Sequence, residues 1–464
     1  MTLIKSISGI RGTIGGSVGE NLTPVDAVKF AAAYGTWVKQ QRNKENYRVV
    51  VGRDARISGE MIQELVMNTL VGMGIHVVDL GLSTTPTVEI AVAMEQADGG
   101  IILTASHNPK QWNALKLLNN KGEFLDAVEG AKILNIAAEE SFIFAEVDAL
   151  GEISKNDAYI DIHIDEVLDL ALVNEEAIRN ANFKVVVDAV NSTGGIAIPL
   201  LLDRLGVHTV KLYCTPNGEF PHNPEPLKEH LTEISDLVVK ENADLGIVVD
   251  PDVDRLALVC EDGTMFGEEY TLVACADYVL SKTPGNTVSN LSSSRALRDV
   301  TEKHGGKYQA SAVGEVNVVQ LMKDTNAIIG GEGNGGIIYP ESHYGRDSLV
   351  GVALFLSLLA EKKMKVSALR AGYPSYFMSK KKIELTPNLD VDVDALLKKM
   401  TERYASEEIT TIDGVKIDFA TNWVHLRKSN TEPIIRIYTE AQTQQEADAL
   451  ADKFIKEIGE IAGL

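Results

Sequence analysis

The hexapeptide Thr104-Ala105-Ser106-His107-Asn108-Pro109 contains a hydroxyl group at a position where an enzyme could use it. It follows the apolar run 100–103, which predicts a buried strand. Because Pro109 disfavours helical geometry at Asn108, we expect Ser106 at the carboxyl end of that strand, where open α/β sheets bind their ligands. A solvated serine in a turn is the alternative, and the hexapeptide by itself does not decide between the two.

A second stretch, Asp250-Pro251-Asp252-Val253-Asp254-Arg255, carries three carboxylates at alternate positions. Such groups repel one another unless a cation lies among them, and their hard oxygen atoms suit Mg²⁺. A calcium EF-hand loop fits the acidic spacing, but it requires Gly where Arg255 stands and helices where 246–249 and 256–260 predict strands. An acidic turn without metal is the remaining alternative. We expect one Mg²⁺ ion, bound by Asp250, Asp252 and Asp254.

The glycine-rich stretch 330–336 could bind a sugar. Its only side chains that can bind a ligand are Glu332 and Asn334, and a carboxylate beside an amide suits neighbouring hydroxyl groups. Phosphate binding is the alternative, which the negative charge of Glu332 disfavours.

Arginines in two other places could contact an anion. Arg11 lies between Gly9 and Gly12, which suits close approach to a ligand, although a solvated loop arginine is the alternative. The segment 427–436 predicts a hairpin with one arginine on each strand, and two guanidinium groups near turn hydroxyls and N–H groups can bind a phosphate. A solvated charged hairpin is again the alternative. The residues expected at this phosphate site are Arg427, Ser429, Asn430, Thr431 and Arg436.

The composition excludes several classes of function. The 464 residues include 44 Lys and Arg against 66 Asp and Glu, a net charge of −22. This charge repels nucleic acid and anionic membranes, so we expect neither as a partner, and an anionic substrate needs a local cationic pocket. Three cysteines without a CxxC pair argue against a disulfide scaffold or a zinc site. With no leader or membrane-spanning stretch, we expect a cytoplasmic protein, monomeric or homodimeric.

The elements that must position these residues alternate between strand and helix. This alternation predicts βαβ units with mostly parallel sheets. After residue 376, successive strands followed by a terminal helix predict an α+β module. Helix starts are expected at Pro24, with a capping box from Thr23 and Asp26, and after Thr85. The expected domains are 1–150, 151–258, 259–372 and 373–464, with linkers at 149–157 and 372–374. The expected strands are 49–51, 77–80, 100–103, 183–188, 245–250, 287–291, 327–330, 415–419, 423–427 and 434–439, and the expected helices include 58–72, 198–205, 269–280 and one from about 444.

The four motifs TASHNP, DPDVDR, GEGNGG and RKSNTEPIIR, in this order, resemble those of the α-D-phosphohexomutase superfamily over essentially the whole chain. The resemblance implies three α/β domains with mixed sheets and a C-terminal α+β domain around a central cleft, each domain contributing one motif. It also implies that Ser106 carries a phosphoryl group, and that this group completes the Mg²⁺ site of the three aspartates.

The same resemblance implies roles for further residues. Arg11 and Lys116 match positions with acid/base or charge-stabilising roles, His107 adjoins the nucleophile, and Arg255 lies near the phosphoserine. Glu332 and Asn334 would contact sugar hydroxyls, and the residues of the 427–436 hairpin would bind the phosphate that does not react.

The implied reaction moves phosphate reversibly between O6 and O1 of a hexose phosphate, through a hexose 1,6-bisphosphate that also activates the enzyme. The GEGNGG loop is similar to those of phosphoglucosamine mutases, so glucosamine phosphate is the expected substrate. Phosphomannomutase or phosphoglucomutase activity is the alternative, and a non-catalytic sugar-phosphate sensor is an alternative of a different class.

Overall fold

The computed structural model of the chain describes residues 2–6, 9–42, 44–384, 392–428 and 434–462. The chain forms two compact units. The first comprises 1–279 and 334–370, and the second comprises 280–333 and 371–464. Three residues expected at the phosphate site lie outside the described residues, namely Ser429, Asn430 and Thr431.

The first part of the chain forms an α/β layer structure. Its strands are β1 (Ile4–Ser6), β2 (Gly9–Thr13), β3 (Tyr47–Arg53), β4 (Ile75–Leu82), β5 (Gly99–Leu103), β6 (Trp112–Leu118) and β7 (Ile153–Lys155). Its helices are α1 (Pro24–Gln41), α2 (Gly59–Gly72), α3 (Thr85–Met94), α4 (Ala127–Glu139) and α5 (Tyr159–Leu168). Helix α1 begins with the predicted capping box, in which Thr23 Oγ1 accepts the Asp26 N–H and the Asp26 carboxylate accepts the Thr23 N–H.

These strands form one sheet in the order β1-β2-β6-β5-β3-β4-β7. Val49 and Val51 on β3 pack among α1, α2 and α4, whereas Val50 packs on the opposite face with α3 and Tyr159. This follows from the alternation of side chains along a strand. All seven residues of β3 therefore belong to a sheet that is covered on both faces.

Two expectations about this sheet were wrong. It is mixed, as the resemblance implied, and not mostly parallel, as the alternation of strands and helices predicted, because β6 runs antiparallel between β2 and β5. The segment 149–157, expected as a linker, contains β7, which pairs in parallel with β4. The three residues of β7 are all exposed, so they show no apolar alternation by which the sequence could reveal a strand.

The next part of the chain forms a second, smaller sheet. Its elements are α6 (Glu175–Ala181), β8 (Lys184–Asp188), α7 (Gly194–Arg204), β9 (His208–Leu212), α8 (Thr232–Lys240), β10 (Leu245–Val249), β11 (Leu256–Cys260) and α9 (Glu268–Lys282). The strand order is β11-β10-β8-β9, with β11 antiparallel to β10 and the other pairs parallel. Strands therefore flank the acidic stretch on both sides, as predicted.

A third group of elements spans the boundary between the two units. It contains β12 (Asn286–Asn290), α10 (Ala296–Lys303), β13 (Tyr308–Ser311), α11 (Glu315–Thr325), β14 (Ala327–Glu332), β15 (Gly336–Ile338), α12 (Ser348–Lys362) and α13 (Val366–Ala371). In the second unit, β12 pairs in parallel with β13 and with β14. β15 and α12 belong to the first unit.

The C-terminal part is sheet-rich, which confirms the predicted α+β module. It contains β16 (Phe377–Glu384), α14 (Val393–Arg403), β17 (Glu408–Thr410), β18 (Val415–Asp418), β19 (Trp423–Lys428), β20 (Ile434–Ala441) and α15 (Gln444–Ala462). The sheet order is β16-β20-β19-β18-β17, every pair antiparallel, and Met400 and Phe454 pack against it. Three α/β regions and a C-terminal α+β region confirm the predicted fold class, while the four domain ranges stay a prediction. Among the described residues, none of the helices combines the length and apolar content that a membrane-spanning segment needs.

Candidate active site

Ser106 lies three residues after the end of β5, so its hydroxyl group lies near the carboxyl end of a buried strand. Its backbone has φ of +48°, a left-handed conformation that costs energy for a residue with a Cβ. The Ser106 N–H donates to Thr104 Oγ1 at 2.9 Å, which helps to hold this conformation. Ser106 Oγ donates to Asp250 Oδ2 at 2.8 Å. The structure therefore brings the serine and the acidic stretch together.

Arg56 holds the backbone of the serine loop, residues 104–112, and sequence reasoning missed it. Its guanidinium group is wholly buried and uses all five N–H donors that arginine has. Nε donates to Asp54 Oδ2 at 3.0 Å. The other four N–H groups donate to the carbonyl oxygens of Ser106, Asn108, Pro109 and Trp112, at 2.5, 2.7, 2.8 and 2.9 Å. Its position in the sequence could have indicated this role. Asp54 and Arg56 follow β3, and β3 is the neighbour of β5, which leads into the serine loop.

The acidic loop, residues 250–255, brings three buried carboxylates together. Asp250, Asp252 and Asp254 are all 0% exposed, and one oxygen atom from each lies within 4.8 Å of the other two. Asp250 Oδ1 accepts the N–H groups of Asp254 and Arg255. Asp252 Oδ2 accepts Lys116 Nζ at 2.7 Å, and Asp254 Oδ2 accepts an N–H of Arg346 at 2.7 Å.

The remaining oxygen atoms of this loop fit a divalent cation. Among the described residues, Oδ1 of Asp252 and Oδ1 of Asp254 are buried and have no hydrogen-bond partner. Burial and the charges of Asp254 and Asp252 raise the pKa of Asp250 well above its ordinary value. A cation among the three carboxylates would relieve both the lost solvation and the repulsion. Hard carboxylate oxygens with space for phosphate and water are what Mg²⁺ prefers.

Three helix N-termini hold the backbone of the acidic loop. The Pro251 carbonyl accepts the hydroxyls of Ser192 and Thr193, which precede α7. At the start of α3, the Thr85 N–H donates to the Asp252 carbonyl at 2.9 Å, and at the start of α12 the Ser348 N–H donates to the Val253 carbonyl at 3.2 Å. The positive ends of these helix dipoles favour the negative charge of the loop.

Other polar residues expected at the site surround the serine and the acidic loop. Burial alone would lower the pKa of Lys116, but Asp252 and Asp254 raise it above its ordinary value, so Lys116 is a cation at neutral pH. Burial, with the charges of Arg255 and Arg11, lowers the pKa of His107 well below its ordinary value. His107 is therefore a neutral imidazole, with Nδ1 at 3.5 Å from Ser106 Oγ.

Arg11 and Arg255 lie within electrostatic reach of each other and of Asp252. Burial and the charge of Arg255 lower the pKa of Arg11, and Asp252 opposes this effect. Arg255 Nη1 lies 3.5 Å from Glu225 Oε1. The first unit thus contains, close together, the residues expected to act on a phosphoryl group and one that was not expected, Arg346.

The second unit contains the remaining expected residues that the structure describes, except Asn334. Arg427 and Arg436 lie directly opposite each other on β19 and β20. Arg427 Nη1 is 3.3 Å from Asp413 Oδ2, which also accepts the Val313 N–H at 3.1 Å. Glu332 is the last residue of β14.

Glu332 belongs to the second unit, and Asn334 belongs to the first. Glu332 Oε1 accepts Asn290 Nδ2 at 2.8 Å and the Gly314 N–H at 3.3 Å. The N–H groups of Val313 and Gly314 belong to consecutive peptide groups and donate to Asp413 and Glu332, respectively. They therefore link Glu332 to Asp413, the carboxylate that contacts Arg427. Asn334 belongs to the first unit, where its Oδ1 accepts the Gly336 N–H at 3.2 Å.

A cluster of ionisable residues, the histidine cluster, lies between the helices that contact the acidic loop, and all its members except the partly buried His343 are buried. It consists of Glu89, His163, His343 and Asp347. His343 lies between two carboxylates, with Nδ1 3.2 Å from Glu89 Oε2 and Nε2 3.2 Å from Asp347 Oδ2. Burial alone would lower the pKa of His343, but Asp347 and Glu89 raise it to about 10. His343 is therefore an imidazolium ion that balances two buried charges.

The charge of His343 predicts a pH dependence of stability. The imidazolium contributes fully to stability near pH 6.5, the pKa of an unperturbed histidine, and this contribution disappears as the pH rises through about 10. We compare the protein with the double variant Glu89→Gln/His343→Gln, which replaces the ion pair by neutral amides. The difference in thermal unfolding midpoint should be largest near pH 6.5 and shrink toward pH 10. A constant difference over this interval would contradict the assigned charge.

Comparisons with known proteins match the whole chain to one family. Residues 3–144, 159–263 and 267–376 match the families described as phosphoglucomutase/phosphomannomutase, alpha/beta/alpha domains I, II and III. Residues 382–457 match the corresponding C-terminal domain.

Full-length relatives and a solved structure agree with this assignment. A protein from Thermococcus kodakarensis described as phosphoglucomutase/phosphomannomutase is 35% identical over 96% of this chain and 97% of its own length. A protein from Methanopyrus kandleri described as a probable phosphoglucosamine mutase is 32% identical over 97% and 96%. The crystal structure of a phosphoglucomutase/phosphomannomutase family protein from Burkholderia thailandensis superposes with a TM-score of 0.85, at 26% identity, covering 100% of this chain and 98% of that one. The chain belongs to the phosphoglucomutase/phosphomannomutase family, within the α-D-phosphohexomutase superfamily, and is a phosphohexomutase of the isomerase class.

Proposed function

We propose that this phosphohexomutase is a phosphoglucosamine mutase, which converts glucosamine 6-phosphate to glucosamine 1-phosphate and back. The observation that carries the chemistry is the contact of Ser106 Oγ with Asp250, at 2.8 Å, inside a triplet of buried carboxylates. The substrate assignment is supported by the GEGNGG loop and by the name of the Methanopyrus kandleri relative.

Phosphoglucomutase/phosphomannomutase activity is the second candidate. The Thermococcus kodakarensis relative, at 35% identity, is named for these two substrates, which favours them independently of the loop sequence. A sensor without catalytic activity is a weaker candidate, because a binding protein gains nothing from a buried serine beside three carboxylates.

In the proposed reaction, the phosphorylated Ser106 donates its phosphoryl group to the free hydroxyl of the sugar phosphate. The bond from phosphorus to Ser106 Oγ breaks and a bond from phosphorus to the sugar oxygen forms. The hydroxyl proton of the sugar moves to a base, and the leaving Ser106 Oγ takes up a proton to become the free hydroxyl. The resulting hexose 1,6-bisphosphate turns around, and Ser106 recovers the other phosphoryl group by the reverse step. The same bisphosphate can phosphorylate the free serine, and therefore acts as activator.

The charged residues of the first unit would stabilise this transfer. Mg²⁺ held by Asp250, Asp252 and Asp254, with the Ser106 phosphate, would neutralise charge on the transferring group. Arg11 and Arg255 would orient the phosphoryl oxygens. The raised pKa of Lys116 favours its role as a cation beside the phosphoryl group over that of a base. His107, whose neutral imidazole has Nδ1 3.5 Å from Ser106 Oγ, is then the candidate to accept the hydroxyl proton.

The remaining predicted residues would hold the rest of the substrate. Glu332 and Asn334 would bind sugar groups. The phosphate that does not react would bind to the hairpin residues Arg427, Ser429, Asn430, Thr431 and Arg436. Bidentate arginine contacts suit a phosphate that must be held while either end of the sugar reacts.

Substrate preference can be measured in one coupled assay with the 1-phosphates of glucosamine, glucose and mannose. We expect the highest kcat/KM with glucosamine 1-phosphate, because its ammonium group can form an ion pair with Glu332, which a neutral hydroxyl group cannot. A higher value for glucose or mannose phosphate would favour the second candidate. No turnover of any of the three would support the sensor.

Ser106→Ala should abolish turnover, since it removes the hydroxyl that contacts Asp250 and would carry the phosphoryl group. The variant should also lose the mass of one phosphoryl group that intact-mass spectrometry should detect on the active protein. Ser367→Ala, which removes a hydroxyl bound to Glu261, is the matched control and should keep both activity and phosphorylation. Substantial activity of Ser106→Ala would exclude the phosphoserine mechanism.

Arg56→Lys should lower kcat about 100-fold, because a displaced serine loop misplaces the phosphoryl donor. A lysine has three donors in place of the five that Arg56 uses, so at least two of the five hydrogen bonds are lost, and at least one of them is a loop contact. Arg53→Lys is the control, since Arg53 contacts Gln63 and the Asp54 carbonyl but not the serine loop. Equal losses in the two variants, with both proteins folded by circular dichroism, would contradict a specific role for Arg56.

A further inference from the structure

The histidine cluster joins two helices that both contact the acidic loop. Glu89 lies one turn after Thr85 on α3, and Asp347 is the N-cap of α12, where its Oδ1 accepts the N–H groups of Leu349 and Val350. His343 connects these two carboxylates. The cluster therefore sets the distance between the N-termini of α3 and α12.

Those two N-termini orient the two aspartates that have an unpaired oxygen. Thr85 Oγ1 donates to Asp252 Oδ2 at 2.6 Å, and Arg346, next to Asp347 in the chain, donates to Asp254 Oδ2 at 2.7 Å. With Oδ2 held, Oδ1 of each carboxylate keeps a fixed direction. These Oδ1 atoms are the ones without a hydrogen-bond partner among the described residues.

The packing around the cluster leaves it little freedom to move. His163 on α5 contacts Thr87 Oγ1 at 2.9 Å and Asp347 Oδ2 at 2.8 Å, so a third helix also holds the cluster. A Cβ on Gly345 would lie 1.8 Å from Glu89 Oε2, which means that the backbone at 345 packs directly against the carboxylate. Glu89 is 2% exposed, and such charge pairs interact strongly where water is excluded.

We propose that His343 is a positioning residue for the acidic loop, which it holds through α3 and α12 in the geometry that binds a divalent cation. The inference rests on the cation site of the proposed function. Replacing a residue that orients metal ligands typically lowers the metal affinity roughly 10- to 100-fold. His343 would act in this way through α3 and α12, without contact to substrate or to any of the three aspartates.

The test is Mn²⁺ binding to the purified full-length protein, measured by electron paramagnetic resonance of free Mn²⁺ without any substrate. We expect the Kd for Mn²⁺ to rise about 10-fold or more in Glu89→Gln/His343→Gln, since the neutral amides no longer attract each other by charge. At saturating Mg²⁺ the KM for sugar phosphate should stay the same. Tyr278→Phe, which removes a buried hydroxyl contact with Leu172 elsewhere in this unit, is the control and should bind Mn²⁺ normally.

A second variant guards against a folding defect in the first. Gly345→Ala keeps every charge but forces Glu89 away from its position, so it should weaken Mn²⁺ binding in the same direction. An unchanged Kd in either variant, with native circular dichroism, would overturn the positioning role. If the wild-type protein bound no Mn²⁺, the cation site of the proposed function would itself be wrong, and this inference with it.

Discussion

The burial of three carboxylates within 4.8 Å of one another is the constraint on which the rest of the first unit depends. Three charges at 0% exposure are unstable unless compensated, and the compensation comes from distant parts of the chain. Lys116 and Arg346 provide positive charge, and the N-termini of α3, α7 and α12 provide N–H groups and hydroxyls. Since these elements are spread along the first unit's sequence, from α3 to α12, the acidic loop also connects distant parts of that unit.

Local backbone strain at the site is maintained by these same contacts. Ser106 has φ of +48° and Val253 has φ of +64°, and a conformation of this kind costs about 1 to 3 kcal/mol for a residue with a side chain. Arg56 holds the first through the Ser106 carbonyl, and Ser348 holds the second through the Val253 carbonyl. The contacts that maintain this backbone hold the serine hydroxyl against Asp250. The serine therefore does not have to reach this position anew in each reaction cycle.

Local cationic groups offset the repulsion between the negatively charged chain and an anionic substrate. A chain of net charge −22 repels a sugar phosphate at long range, but Arg11, Lys116 and Arg255 lie together in the first unit. In the second unit, Arg427 and Arg436 face each other, with Asp413 beside Arg427. Like charges on directly opposite residues destabilise a sheet, so Asp413 lowers the cost of keeping two arginines ready for a phosphate.

The sequence by itself determined the local structure and the chemistry of the motifs. The capping box of α1, the strands around the acidic loop and the α+β character after residue 376 all follow from short-range patterns, and the motif order identified the superfamily. Only the tertiary structure revealed β7, along with Arg56, Arg346 and His343. These three residues act on partners 50 to more than 250 positions away in the chain. Spacing along a sequence encodes which groups share a strand or a turn, whereas long-range contacts depend on shape and charge complementarity that only the folded chain displays.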